Sequence, residues 1–440
     1  MSDSQQKIVQ GLNPADYFTL AMDEEIRQEN MPGSLCGFAL ELSKQPDLEV
    51  LQQRINEFGL KFPLAYASLQ QKGKRFFWYE RAESPNLFKH YAAKKNDTAD
   101  FHKTVLLDLI NEKHDREAIL PISFHLISSE HKSVFLLRWI HPFCDARSAD
   151  LILKYLCTES EQQREKFDFP KLDSLVNRQL AKYKWWQKIA LFFKAKRYIT
   201  SLDTLPSVIH ADTQQSPERL NYQTYSLTLE QTQRVNKLAR QQVGLTGTSL
   251  YYIGCFMRAL YRMNPEQAGE AYCAPYAFNL RKNKALSPVL GNHVGALFAQ
   301  APKSILDNRE ALFQHLKQQH TQVIREKLDY AFLPVMWAAS WLSLAKHGEQ
   351  LRKAYGTGGE RSSFWFSDIG RTDVSEMSFF DSEIADILHL CQVTSPPALA
   401  FLSCQFNQKL SFSYNFVEPL FEMQWIEQLH DLMLDELLME

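Results

Sequence analysis

The chain has 440 residues, 45% hydrophobic and 12% aromatic, enough to bury large cores and to divide into two domains. A formal net charge of −2, with no finger, RNP or helix-turn-helix signature, gives no footprint for nucleic acid and excludes it as a partner. The seven cysteines (Cys36, Cys144, Cys157, Cys255, Cys273, Cys391 and Cys404) are odd in number and scattered. They form no CxxC pair and no four-ligand Cys/His set, so reduced thiols and no metal are expected.

Taken in chain order, Met1 to Lys7 lack the charged-then-apolar layout of a signal segment. No apolar run reaches the roughly eighteen residues of a membrane span, so a cytoplasmic protein is expected. Asn13 and Pro14 predict a cap and first-turn proline for a helix through Phe18 and Met22. Alternation predicts a strand over Leu35 to Leu42, and a helix follows over Asp47 to Phe58. Strands at Arg75 to Tyr79, Pro121 to Ile127 and Ser133 to Ile140 complete an α+β lobe spanning 1–165.

A connecting segment, 166–216, matches neither half. Within it Arg178 to Arg197 carries seven Lys or Arg and no acid, interleaved with Tyr183, Trp185, Trp186, Ile189, Leu191, Phe192 and Phe193. Two readings stand for 178–197: a crossing helix with a solvated basic face, or an anchor for an anionic membrane surface that would make the protein peripheral to the inner face of the membrane. A second lobe, 217–440, opens with a strand near Asn221 and helices over Leu229 to Gln242 and Ser249 to Arg262. Strands follow near Cys273 to Ala277, Ser362 to Phe366 and Ala398 to Phe406. The last forms a hairpin with Lys409 to Tyr414 through Asn407 and Gln408, and Val417 to Leu438 reads as an amphipathic helix. Gly356-Thr357-Gly358-Gly359 lacks the lysine of a phosphate loop and reads as a mobile loop.

The stretch with most chemical content is Ile140-His141-Pro142-Phe143-Cys144-Asp145-Ala146-Arg147-Ser148. It ends an apolar strand with a histidine and sets a carboxylate four residues later, while Ser148 reads as the cap of a following helix. Among thirteen histidines His141 alone has Asp at that spacing. A strand exit, a tight loop and a helix would hold the imidazole rigidly, as a general base requires. Asp145 reads either as a support for that loop or as a plain helix cap, with Arg147 the nearest cation in sequence. Cys144 reads as a buried thiol rather than a nucleophile, because close neighbours in a loop point apart. No GxSxG elbow competes with His141.

With these residues in view, the chain resembles the CoA-dependent acyltransferase superfamily, which includes wax ester synthase and diacylglycerol acyltransferase-like enzymes and condensation domains. The resemblance rests on Asn13-Pro14-Ala15-Asp16 with Met31-Pro32-Gly33-Ser34-Leu35, on His141 and Asp145 as HxxxD with Ser148 after it, and on three downstream segments. These are Asn279-Leu280-Arg281, Leu290-Gly291-Asn292 and Phe366-Ser367-Asp368-Ile369-Gly370. Ile140 replaces the first histidine of the double-His condensation form, Ala146 replaces a usual glycine, and Asp368 stands where an amide is common.

The resemblance implies two similar chloramphenicol-acetyltransferase-like α/β lobes with a channel between them. It implies His141 as the base, Asp145 pairing with Arg281 behind the loop, Ser367 and Asp368 at the oxyanion or acceptor, and Asn279, Gly291 and Asn292 along the channel. The implied reaction moves an acyl group from acyl-CoA to an alcohol or lipid acceptor, with no permanently bound cofactor. The alternatives are a condensation enzyme fed by an acyl carrier protein thioester, forming an amide or ester, and a catalytically silent binding protein.

Overall fold

The computed structural model describes residues 7–94, 100–130, 132–167, 175–244, 247–281, 290–353, 359–372 and 378–439. Met1 to Gln6, and Gly356 to Gly358 of the glycine-rich run, lie outside the described residues.

The chain is mixed α/β, and its described strands form three sheets. Ser133–Ile140 is buried at every position, as a strand covered on both faces must be. It pairs with Leu35–Leu42 on one side and Ile122–Ser128 on the other, and Phe88–Ala92 closes that edge. The helix Leu48–Lys61 covers one face, its Phe58 ring meeting Phe124 edge-on at 5.7 Å. The helix Phe101–Asn111 covers the other, where Arg138 donates to the Leu109 carbonyl at 2.7 Å.

The second lobe is a six-stranded sheet in the order Val294–Pro302, Ala271–Asn279, Trp365–Arg371, Leu399–Phe406, Lys409–Glu418, Arg219–Ser226. Its hairpin turns at Asn407 and Gln408, both left-handed (φ 45° and 63°), which is the geometry of a two-residue turn matched to strand twist. A three-stranded sheet of Ile8–Gly11, Arg75–Tyr79 and Ser68–Lys72 lies apart from both.

Three expectations need correction. The final helix begins at Met423, not Val417, because Val417 still pairs with Leu220 in the sheet and Pro419 follows. The strand expected at Ser362 to Phe366 runs instead over Trp365–Arg371. Residues 361–363 are held outside the ladder, where the Arg361 fork grips Asp203 at 2.6 and 3.0 Å. The third correction concerns the lobes. Ile384–Cys391, assigned by sequence to the second lobe, crosses back and extends the first lobe's sheet beside Leu35–Leu42, placing Cys391 opposite Cys36. The helices Leu328–Ala339 and Leu344–Arg352 likewise pack on the first helix, Pro14–Gln28, where Arg352 pairs with Glu25 at 2.5 Å.

The connecting segment forms the helix Trp185–Leu202. Ala195 and Leu202 are buried, and Tyr198 donates to the Phe298 carbonyl at 3.1 Å. At 100° per residue, Trp185, Ile189, Phe193 and Trp186 fall on one stripe together with Lys196 and Arg197. That stripe faces outward, with Trp185 69% and Phe193 59% exposed, the reverse of a helix whose aromatics seal a core. Among the described residues no helix is long and apolar enough to cross a membrane.

The crossing strand makes a testable demand on Gly37, since a Cβ there would meet Leu136 at 3.0 Å and Leu390 of the crossing strand at 3.3 Å. Gly37→Leu is expected to overpack that junction and lower stability by about 1–3 kcal/mol, read by urea unfolding. An unchanged midpoint would show that the junction yields without cost.

Candidate active site

His141 is anchored first by backbone. Its N–H donates to the Ser34 carbonyl at 2.9 Å, and the Ser34 N–H donates to Asp23 at 2.8 Å. The turn that presents Ser34 needs glycine at 33: φ is +93°, and a Cβ would lie 2.3 Å from the Asp23 carboxylate.

Asp145 fills both roles left open by the sequence. It is the N-cap of the helix Ala146–Cys157, accepting from the Ser148 N–H at 2.9 Å, so Ser148 lies inside the helix rather than capping it. It also takes a two-pronged ion pair from Arg281, at 2.7 and 3.0 Å, and a fourth hydrogen bond from the His293 N–H at 2.9 Å. Burial alone would raise its pKa, but the Arg281 charge and these bonds hold the carboxyl at about 2. Arg147 goes elsewhere, to the Arg371 carbonyl at 3.2 Å.

The remaining polar groups fasten the same junction. Ser148 Oγ meets the Gly291 carbonyl and N–H at 2.9 and 3.0 Å, and Arg281 reaches both Ser148 Oγ and the Gly291 carbonyl. Asn292 donates to the His141 carbonyl at 2.7 Å and to Asp16 at 3.1 Å. Asp16, pushed up to about 7 by burial despite hydrogen bonds from Asn13 and Asn292, accepts from the Asn13 N–H in the capping box of the first helix. Three segments distant in sequence therefore meet behind one loop.

In front of the loop lies a cavity of about 280 Å³ between the lobes. His141 borders it, with Phe18 and Met22 of the first helix, Trp139, Phe332, Met336 and Phe366. Burial lowers the His141 pKa below its ordinary value, while its own carbonyl and the Asp145 charge act the other way. Nδ1 is buried without a well-formed hydrogen bond, leaving Nε2 as the nitrogen available for proton transfer.

No protein-family model matches the sequence, and no curated protein matches it. Solved structures do. The first condensation domain of the calcium-dependent antibiotic synthetase superposes with a TM-score of 0.72 at 13% identity, over 98% of this chain and 97% of that one. A trichothecene 15-O-acetyltransferase from Fusarium sporotrichioides gives 0.70 at 11% identity, over 98% and 95%. Polyketide synthase associated protein 5 from Mycobacterium tuberculosis gives 0.64 at 14%, over 98% of each chain. The chain has the two-lobed fold of these condensation domains and of this acetyltransferase.

Within this condensation-type fold the sequence candidates separate into two groups. Ser367 lines the cavity. Asp368 does not: it points the other way along its strand, exposed, accepting from Ser249 at 2.7 Å, Ser403 at 3.0 Å and the Gly370 N–H at 3.0 Å. Strand alternation sets it opposite Ser367, so Asp368 puts no anion on the cavity wall. Asn279 is also exposed; it caps the turn to Arg281 through the Arg281 N–H at 2.9 Å and is not a channel wall. Gly291 and Asn292 stand behind the loop rather than along the cavity. Cys144 is buried away from the cavity, and burial pushes its thiol well up.

Sequence reasoning missed the wall supplied by the crossing strand, including His389. Only the pairing of that strand with Leu35–Leu42 brings it to the site, and no local pattern announces such a pairing. Metal-binding groups of three or more His, Cys, Asp or Glu are absent among the described residues.

Removing Asp145 would strand Arg281 in a nearly dry site, so Asp145→Ala is expected to cost about 3–5 kcal/mol in urea unfolding. Because the carboxyl sits at about 2, below its ordinary value of 3.8, its stabilisation is full above that ordinary value and is lost as pH falls toward 2. Asp145→Asn should therefore flatten the acid limb of the stability curve. An unchanged limb would detach the pair from stability.

Proposed function

We propose that the protein transfers an acyl group from a CoA thioester to a hydroxyl-bearing acceptor, with His141 as general base. The observation that carries this reading is an imidazole with a lowered pKa, neutral at physiological pH, bordering an apolar cavity on a loop gripped from behind. The acceptor hydroxyl attacks the thioester carbonyl carbon while its proton passes to His141 Nε2. The tetrahedral oxyanion collapses, the C–S bond breaks, and the leaving thiolate takes the proton and departs as free thiol. No covalent enzyme intermediate is needed. Ser367, on the cavity wall, is the candidate oxyanion or acceptor contact. The apolar walls suit an acyl chain.

A second donor is favoured by one observation: solved structures of this fold include condensation domains of peptide synthetases. An acyl carrier protein would then present the thioester, and the product could be an amide. Equal assays with acyl-CoA and with an acylated carrier protein separate the two.

We further infer that the outward stripe of Trp185, Trp186, Ile189 and Phe193 contacts an anionic membrane or a lipid-laden acceptor at the cytoplasmic face. Aromatic side chains favour the interface, and each Lys or Arg near an anionic surface contributes about 1 kcal/mol. Lys184, Lys188, Lys196 and Arg197 carry the sign that phospholipid headgroups complement.

His141→Ala should lower acyl transfer by about 100- to 10,000-fold, read as thiol release, while leaving the unfolding midpoint in place. Near wild-type turnover would sink the mechanism. In the wild type, turnover should be flat through neutral pH and fall as acid protonates the imidazole, at a pH below the ordinary value of a free histidine. For the surface reading, sedimentation with phosphatidylglycerol vesicles should show binding that weakens with salt and on changing Lys184, Lys188 and Lys196 to Glu. No binding at low salt would reduce the stripe to an exposed face without a lipid partner.

A further inference from the structure

Besides His141, two further imidazoles line the cavity, His347 and His389, and the ring of His389 makes no hydrogen bond with the described residues. His389 lies on the crossing strand Ile384–Cys391, lines the same cavity as His141, and is 4% exposed. Its Nε2 is sealed without a hydrogen-bond partner, which leaves Nδ1 as the nitrogen a ligand in the cavity can reach, and its ring sits edge-on against Phe38 at 4.1 Å. Burial, reinforced by the Arg147 charge, holds the ring neutral with a pKa of about 3. A neutral imidazole can donate or accept, but it cannot serve as a counter-ion.

Strand register fixes where this group stands relative to the reacting centre. Trp139, Cys36 and Cys391 lie opposite one another across three neighbouring strands. His141 is two residues beyond Trp139, whereas His389 is level with Phe38, two residues the other way. Two strands across and four residues along places the rings roughly 15 Å apart on the same sheet face. Polar groups withdrawn from bulk water are almost always paired, yet the described residues offer neither ring nitrogen of His389 a hydrogen bond, and the one on the cavity side is a place where a ligand can supply the partner. The same cavity wall carries Leu390, Cys391, Ile369 and Trp139, which give an apolar chain contact, beside the polar Gln392, Ser367 and His347.

We propose that His389 binds a hydroxyl or carbonyl oxygen carried by the substrate chain at a distance from the reacting carbonyl, so that the cavity selects an oxygenated chain over a plain hydrocarbon. The oxygenated chain can belong to the acyl donor or to the alcohol acceptor; the chemistry recognised is the same. This assignment rests on the cavity being the substrate channel of the proposed acyl transfer. Its test reads binding alone, so failure of the His141 chemistry would leave it standing.

The probes are two matched pairs: dodecanoate with ω-hydroxydodecanoate for the donor chain, and dodecanol with dodecanediol for the acceptor. Affinities are measured by calorimetry on the full chain for the wild type, His389→Phe and His389→Gln. The wild type should favour the oxygenated member of at least one pair by about tenfold, the size expected when a ligand satisfies a buried unpaired group. The pair showing the preference identifies which substrate reaches His389. His389→Phe should erase the preference while leaving the unfolding midpoint unchanged or higher, because it removes an unpaired polar atom. His389→Gln, which retains a donor and an acceptor, should keep part of it. Equal affinities within both pairs for the wild type would overturn the proposal, as would a preference that survives in His389→Phe or the absence of binding by all four probes.

Discussion

The junction behind the His141 loop depends on one buried carboxylate. Asp145 accepts four hydrogen bonds, two from Arg281 and one each from the backbones of Ser148 and His293, and together they tie these three residues to the loop that carries His141. A charge so deeply buried is tolerable only when its partners are complete, so the pair is sensitive to the loss of any one of them. The pair does not act on substrate. Its effect is to fix where the imidazole stands when two lobes come together, and a base misplaced by an ångström loses much of its value.

The same junction explains why the acidic groups around the site behave so differently. Asp145, met by a guanidinium and two backbone N–H groups, stays ionised far into acid. Asp16, equally buried but met only by neutral donors, is pushed up to about 7. At His141, half-buried on the same loop, the loss of hydration favours the neutral ring and lowers its pKa. Burial opposes charge on all three groups, and a full positive charge overcomes it only at Asp145.

Much of this was legible in the sequence. Strands such as Leu35–Leu42 and Ser133–Ile140 follow from apolar runs bounded by turn residues, and the cap at Asn13 follows from local hydrogen-bond chemistry. His141, Asp145 and Arg281 could be named because one motif and one distant segment pointed to the same loop. Non-local pairing was not legible. The Ile384–Cys391 strand, the start of Trp365–Arg371 set by the Arg361–Asp203 pair, and the outward turn of Asp368 all depend on contacts made across more than a hundred residues or on which face a register presents. A one-residue slip would have exchanged Ser367 for Asp368 at the cavity, and periodicity alone does not choose between them.

The crossing strand also has a consequence for how the protein is made. During synthesis the first lobe's residues emerge long before Ile384–Cys391 exists, so Leu35–Leu42, whose side chains are almost all buried in the finished fold, spends that interval as an open, apolar sheet edge. Such an edge is a template for foreign strands. The lobe therefore reaches its final sheet only after Ile384–Cys391 has been made, and a ribosome-bound chain is at its most vulnerable to aggregation or chaperone capture between the synthesis of Ser133–Ile140 and that of the crossing strand. Expressing the two lobes as separate pieces would reproduce that vulnerable state permanently.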